Sequence, residues 1–523
     1  MQEFYRIKER KFGLLKIFLA AALIFLASII LLFLFNPDLS ISDKLIIFTI
    51  YFSLFLIFLK NRNIGLYMLG VIIPFNLLIG MIFPIALKFN LFPVDLVVAM
   101  LLIAWMLELL SKNGANLRKT RLDTALIFIA LISWVSILPY FPEMIGQISK
   151  SPLSLSLFLI FKSTYSTKIL FSLNALFRVG LYVLLYFYIV NNAGAKEAKR
   201  FFFVLMASFL AVSLASIAMF IISSSRSTHI ILDGGELHSR IDLDSQFYAK
   251  RSSFPLPHPN ALAGFSLLVI PLSAVMFIFA RKLTHSVLSG LLLIVNISGF
   301  LFTQSRGAFL AIDISLLIVF LALLIKPGQN KFLMKKALAV LILFAAFSVL
   351  ALHLRGLTGQ NLLEGNAAGN EYFKAFATDD EEDGRANRIW PTTLEMIKHN
   401  PIMGVGLGAY SRQYGQYISQ KDTLKVNQMH AHNFYLHILA EIGIIGFILY
   451  ILVFYAVLKS FFSYLAKNDE MPDETSGRYY IALSIGIGFT ALLIHSFFDN
   501  LLFWREISAL FWVQAGFLFV IAD

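Results

Sequence analysis

The stretch SVLSGLLLIVNISGFLFTQSRGAFLAIDISLLIVFLALLI, residues 286–325, decides the fold class. Two apolar runs meet at a short polar break, Thr303-Gln304-Ser305-Arg306-Gly307, and apolar character resumes immediately after it. A bilayer crossing needs about 20 mostly apolar residues. Each run is close to that length, so the spacing predicts two spans, 286–304 and 307–325, joined by a polar turn.

The same pattern repeats along the chain. Further segments of spanning length are 14–35, 44–60, 64–87, 95–110, 124–141, 169–191, 201–223, 259–280, 336–353, 433–458, 479–499 and 501–521, giving about fourteen spans (12–14 allowing for the short ones) and an all-α polytopic bundle. Composition agrees. Of 523 residues 58% are hydrophobic and 14% charged, with a mean hydropathy of +0.77, which is more apolar surface than an aqueous domain can hide. The first run, Leu14 to Phe35, follows Arg6, Lys8, Arg10, Lys11 and Lys16; its length and the lack of a small-residue cleavage site predict a retained helix rather than a signal peptide. With no cysteine, there is no disulfide, thiolate nucleophile or cysteine metal site.

The formal charge of +12 lies in short clusters between apolar runs, which is membrane-orienting charge and excludes nucleic acid as the partner. With the N-terminus inside, the inner connections carry Lys60 and Arg62; Lys112, Arg118, Lys119 and Arg121; Lys196, Lys199 and Arg200; Arg281 and Lys282; Lys326, Lys331, Lys335 and Lys336; and Lys459, Lys467 and Arg478. Both termini are then cytoplasmic. Three outer loops are long: 142–168, 224–258 and 354–432. The last holds the acidic run Asp379–Asp383 and a segment with helical spacing, 389–399; loops of this length are usually functional. The chain divides into N-terminal spans (1–258), spans carrying the TQSRG break (259–353), the long loop (354–432) and C-terminal spans (433–523).

Once this topology is drawn, the chemistry-bearing residues fall on the outer side. His258 precedes a span in FPLPHPN; Arg306 lies in the TQSRG turn; Arg385, Arg388, His430 and His432 lie in the last loop; His495 and Asp499 close a span. Each has a structural alternative. Arg306 could snorkel to headgroups, and His432 with Asn433 could form a helix N-terminal turn. His430, His432 and His437 suggest a metal site, but residues two apart diverge on a helix and no neighbouring carboxylate completes the set, so no metal is expected. The acidic run 379–383 reads as solvated surface. At membrane depth Arg178, Asp313, Glu441, Arg505 and Glu506 must pair or line a pathway.

Three segments carry a family resemblance: TQSRGAFLA at 303–311, HNPIMGVGLGAY at 399–410 and HNFYLHILAEIGIIG at 432–446. The last fits a pattern of His432 and Asn433, nine residues, Gly443, two residues and Gly446. Over about 255–510 the chain resembles the bacterial O-antigen ligase family and its sister polysaccharide polymerases. The resemblance implies a multi-pass inner-membrane enzyme that moves a glycan from undecaprenyl diphosphate to an acceptor hydroxyl, on a lipid A core or a growing polysaccharide, at the periplasmic face. It implies no cofactor and no metal. His432 would be the general base, Arg306 would bind the donor diphosphate, and Arg385 or Arg388, upstream of Trp390, would be a second donor arginine. Asn433, His258, His495 and Asp499 are further candidates. The residue types suit this chemistry, because arginine grips phosphate oxygens in pairs, histidine titrates near neutrality, and a one-step displacement inverts the anomeric centre. A repeat-unit polymerase shares donor and site; a transporter or flippase would place its polar residues at the bilayer midplane in related halves, and the halves here look unrelated.

Overall fold

A computed structural model describes residues 41–82, 92–111, 117–142, 168–222, 228–233, 236–241, 251–324, 331–359, 385–418, 430–467 and 477–522. Its α-helices are α1 (Ile41–Lys60), α2 (Arg62–Ile82), α3 (Pro93–Ser111), α4 (Asp123–Ile137), α5 (Lys168–Asn192), α6 (Ala195–Ile222), α7 (Pro259–Phe279), α8 (Leu283–Leu301), α9 (Arg306–Leu324), α10 (Lys331–Gly359), α11 (Trp390–His399), α12 (Tyr410–Gln413), α13 (Phe434–Lys467), α14 (Gly477–His495) and α15 (Arg505–Ala522). Among the described residues twelve helices are long and apolar enough to cross a membrane. The protein is a multi-pass, all-α membrane bundle. The expected span 14–35 and the acidic run 379–383 lie outside the described residues. The expected helix over 389–399 is α11.

The break in 286–325 is a turn, with α8 ending at Leu301 and α9 starting at Arg306. The last span begins later than its apolar run. Residues 496–504 form a turn that buries Ser496, Asp499 and Asn500, and the helix starts only at Arg505. Among the described residues one element falls outside the helical pattern: Thr228–Asp233 (β1) pairs antiparallel with Glu236–Ile241 (β2) in the connection between α6 and α7. The Gly234-Gly235 pair between the strands is the composition that two-residue hairpin turns favour.

The bundle is sorted by burial. α7 and α15 are 83% enclosed by protein, whereas α10 is 22% enclosed and leaves Ile342 and Val349 outward. Outward Phe203, Ile221, Leu283 and Leu288 would be an aggregation surface in water and are ordinary in lipid. α7 packs on α8 and α14, α9 on α14, α5 on α15 and α4 on α13. Close approach rests on small residues, as lipid requires; a side chain on Gly299 of α8 would meet the Ser213 backbone of α6 at 2.8 Å.

The two ends differ. At the basic end Lys336 donates to the Ala280 carbonyl (2.6 Å), the Phe277 carbonyl (3.2 Å) and Ser286 Oγ (2.9 Å), capping the C-terminus of α7. At the other end meet the starts of α7, α9, α13 and α15, the C-termini of α8 and α14, and the 385–410 segment.

Candidate functional site

The site is built around the 496–504 turn. Asp499 is 1% exposed and cannot stand alone at that burial. Its Oδ2 accepts from Asn260 Nδ2 at 2.7 Å, and its Oδ1 accepts the Asn500 amide at 2.8 Å. The same Oδ1 lies 3.4 Å from His432 Nδ1 and 3.9 Å from His430 Nδ1. Asn260 Oδ1 accepts in turn from Arg251 Nη2 (2.7 Å) and Ser305 Oγ (3.1 Å), while Arg251 Nε holds the Thr303 carbonyl at 2.8 Å. A hydrogen-bonded chain therefore runs from the TQSRG turn through Asn260 to Asp499, and His432 Nδ1 lies 3.4 Å beyond its end.

His432 sits in the left-handed region with φ 49°, a conformation that a non-glycine residue holds only under local constraint. The constraint is visible on both sides. Asn433 caps α13, its Oδ1 accepting the Leu436 amide at 3.0 Å and its Nδ2 donating to the Phe497 carbonyl at 3.1 Å. Trp390 Nε1 donates to the Ala431 carbonyl at 3.1 Å, and the His432 amide donates to His430 Nδ1 at 3.3 Å. Bent this way, the chain brings the His430 and His432 rings to 4.2 Å between centroids, tilted by 54°.

A second constraint acts from below. α13 is broken at Gly443, whose φ is 65°, so its Ala440 and Glu441 carbonyls are free to accept the Val405 and Gly406 amides, each at 2.8 Å. The Ile444 amide donates to the Pro401 carbonyl at 2.9 Å, and Glu441 Oε1 accepts the Tyr410 amide at 3.1 Å. Any side chain on Gly443 would collide with the Ile402 carbonyl. The NPIMGVGLGAY segment is thus docked into the kink of the helix that begins at His432. The spacing from His432 to Gly443 has a mechanical meaning: one half-helix, 434–442, with the imidazole at its head and the docking kink at its foot.

The sequence candidates take distinct places. His432, His430 and Asp499 come together. Asn433 is the cap. His258 caps α7, its Nδ1 accepting the Asn260 amide at 3.1 Å, and its ring stacks on Trp504 at 5.8 Å. His495 is buried against the start of α9, and a side chain on Gly307 would meet its Nδ1 at 2.9 Å. Arg306, the first residue of α9, is half-buried between Ser305, which bonds Asn260, and Gly307, which packs on His495. Arg385 donates to the Phe498 carbonyl, and Arg388 is buried beside it at the head of α11. Asn260 and Arg251 carry the network, and sequence does not single them out; the FPLPHPN segment contains the first without marking it.

Both grounds for setting metal aside change. His430 and His432 do not lie on a helix, so spacing does not separate them, and Asp499 is the missing carboxylate. Ligand-type atoms of the three lie within 4.8 Å of one another. His437 does not join them; its Nε2 lies 3.6 Å from Glu441 Oε2. The donor set is nonetheless engaged: His430 Nδ1 accepts an amide, and both Asp499 oxygens accept N–H groups. That arrangement suits a proton-handling chain better than a cation. Burial favours the neutral carboxyl of Asp499, but the neighbouring His432 imidazole and the Arg385 guanidinium outweigh it and hold the group well below the usual carboxylate range. Burial pushes His430 well below the usual histidine range, and neighbouring His432 adds to this.

Residues 291–451 match the family model described as O-antigen ligase. This region of the chain is similar to the O-antigen ligase family. The matched O-antigen ligase region contains the TQSRG turn, the docked NPIMGVGLGAY segment and the half-helix from His432 to Gly446. Asn260 and Asp499, which tie those parts together, lie outside it. No curated protein matches the chain. The match and the architecture together support a membrane glycosyltransferase of the ligase or polymerase type in general.

Proposed function

We propose that the protein transfers a glycan from undecaprenyl diphosphate to an acceptor hydroxyl at the periplasmic face of a bacterial inner membrane. The observation that carries the reading is the buried Asp499 carboxylate 3.4 Å from His432 Nδ1. An imidazole held by a carboxylate at Nδ1 presents Nε2 as the base, and the carboxylate stabilises the imidazolium that forms. The acceptor oxygen attacks the anomeric carbon while its proton passes to His432 Nε2. The bond from that carbon to the diphosphate oxygen breaks, and the lipid diphosphate leaves with the electron pair. A single displacement inverts the anomeric centre. Arg306 meets the charge that develops on the leaving diphosphate, with Arg385 or Arg388 as the second cation; fixed charge of this kind is worth several kcal/mol as an order of magnitude. The chemistry runs without metal.

Sidedness rests on charge. The site lies at the end of the bundle opposite Lys60, Arg118, Lys199, Arg281, Lys336 and Lys459, which by the positive-inside rule supports a site on the outer side and cytoplasmic termini. Ligation to a lipid A core is the first reading and repeat-unit polymerisation the second, since they share donor and site and differ in acceptor. The test is transfer by purified protein from a defined lipid-linked glycan, with core oligosaccharide and repeat-unit acceptors offered separately. Arg306→Ala is expected to lower turnover at least 100-fold with either acceptor. An unimpaired Arg306→Ala enzyme would remove the donor assignment, and transfer only to repeat units would select the polymerase.

A further inference from the structure

Beneath the site, inside the bundle, is a cavity of about 100 Å³. Its walls include Arg178 of α5, His437 and Glu441 of α13, Asn500 and Phe503 of the 496–504 turn, and Trp512 of α15. Three nitrogens facing this region have no hydrogen-bond partner among the described residues: Asn500 Nδ2, Arg178 Nε and His437 Nδ1. Asn500 is 1% exposed and His437 5% exposed. Buried polar atoms left in this state cost roughly 1–3 kcal/mol each unless something answers them.

We propose that this cavity is a recognition subsite for one oxygen-bearing substituent, a hydroxymethyl or acetamido group, of a sugar at the point of transfer. The inference rests on the transferase reading above. Polarity excludes a lipid tail, which would leave the three nitrogens unanswered. Charge excludes the diphosphate: Glu441 offsets Arg178, so the lining is near neutral, and a multiply charged group would face a buried carboxylate. A carbonyl or hydroxyl oxygen accepts from Asn500 and Arg178 without adding charge, and the Phe503 and Trp512 rings border it. Volume sets the size. About 100 Å³ exceeds the 10–15 Å³ that a single water needs and falls short of the roughly 150 Å³ that holds benzene. It therefore admits a substituent and not a whole ring. The subsite adjoins the chemistry: Asn500 follows the Asp499 that holds His432, and the Phe503 ring lies 5.1 Å from His430 and 6.4 Å from His437.

The test is binding by the full-length protein in lipid nanodiscs, measured without turnover. Two oligosaccharide series are used, one built on the donor's transferred sugar and one on the acceptor sugar, each with and without the substituent. Wild type is expected to bind the substituted member of one series at least tenfold more tightly, and the series that responds identifies the source. Ser508→Leu fills the cavity from α15 and is expected to reduce that ratio to within twofold, while Ser508→Ala keeps it. If Ser508→Leu fails to fold, Ala175→Leu fills the cavity from α5. No preference in either series, or a preference that survives filling, overturns the subsite and indicates a cavity holding water alone. A preference in a protein that transfers nothing overturns the transferase reading and leaves the subsite standing.

Discussion

Two buried charge networks lie in this bundle, and they are finished differently. In the first, Arg505 at the head of α15 pairs with Asp95 of α3 at 3.1 Å and donates to Asn174 at 3.2 Å. Tyr182 donates to Asp95 at 2.7 Å, and Asn76 donates to Glu506 at 2.7 Å while accepting the Val94 amide at 3.0 Å. Its charges are turned toward one another inside the bundle. The second network, Arg251–Asn260–Asp499–His432, ends on a member that reaches the surface: the His432 side chain is 24% exposed. One network fastens α2, α3, α5 and α15; the other spends the same kinds of bonds on holding one imidazole at the surface of a cavity-bearing end. An intramembrane charge is thus not by itself a functional mark. The mark is a buried network with one member left facing outward.

The contrast can be broken from either side. The largest expected effect is on chemistry: His432→Ala lowers turnover by roughly 10²–10⁴-fold, as loss of a positioned base does, with the melting temperature nearly unchanged. A variant that keeps full transfer activity would discard the base assignment. In the inward-facing network the cost goes to folding. Asp95→Ala leaves Arg505 buried without its carboxylate and is expected to destabilise by about 3–5 kcal/mol, read from denaturation in detergent; a wild-type denaturation midpoint would show that the pair contributes nothing.

Gly443→Ala probes the mechanical support. It forces a side chain into a backbone with φ 65° and against the Ile402 carbonyl, so a loss of at least about 1–3 kcal/mol is expected, with turnover falling as the His432 half-helix shifts. The pH response is smaller. His430 is held neutral in the fold and titrates near 6.5 when unfolded, so stability is full above about pH 6.5 and declines as pH falls below it. Asp499, whose folded value is depressed, adds a second loss beginning near pH 4, its usual range. A melting-temperature profile of His430→Asn should lack the first decline; an unchanged profile would place that titration elsewhere. Smallest is chelation. Treatment with EDTA followed by dialysis should leave transfer within twofold, and a loss restored by a divalent cation would make His430, His432 and Asp499 ligands.

Much of this is legible in sequence, for a physical reason. Lipid imposes a length and an apolarity that single segments must meet alone, so the spans and the TQSRG turn can be read one at a time. The contributions of Asn260 and Arg251 cannot. A lone asparagine gives no sign that its two ends will bridge Asp499 and Ser305 from a helix start more than two hundred residues before Asp499. Helical spacing would separate His430 from His432, and the left-handed turn at His432 places the pair side by side instead. The apolar pattern sets the start of α15 too early because Leu501 to Phe503 continue it while forming a 3-10 turn. The sequence motif from His432 to Gly446 is recognisable as a string, but its reason, a kink that receives residues 401–410, exists only across the fold.

That kink has a consequence for how such proteins can be exchanged part for part. Two carbonyls of a membrane-embedded helix are satisfied by amides of a segment that approaches from the aqueous side, so each segment is the other's missing half-ladder. A chimera importing only residues 399–410 or only 432–446 from a distant homologue would strand acceptors in a hydrocarbon setting, whereas importing both at once would carry the match along with them. Heredity must treat these two separate stretches as a single unit.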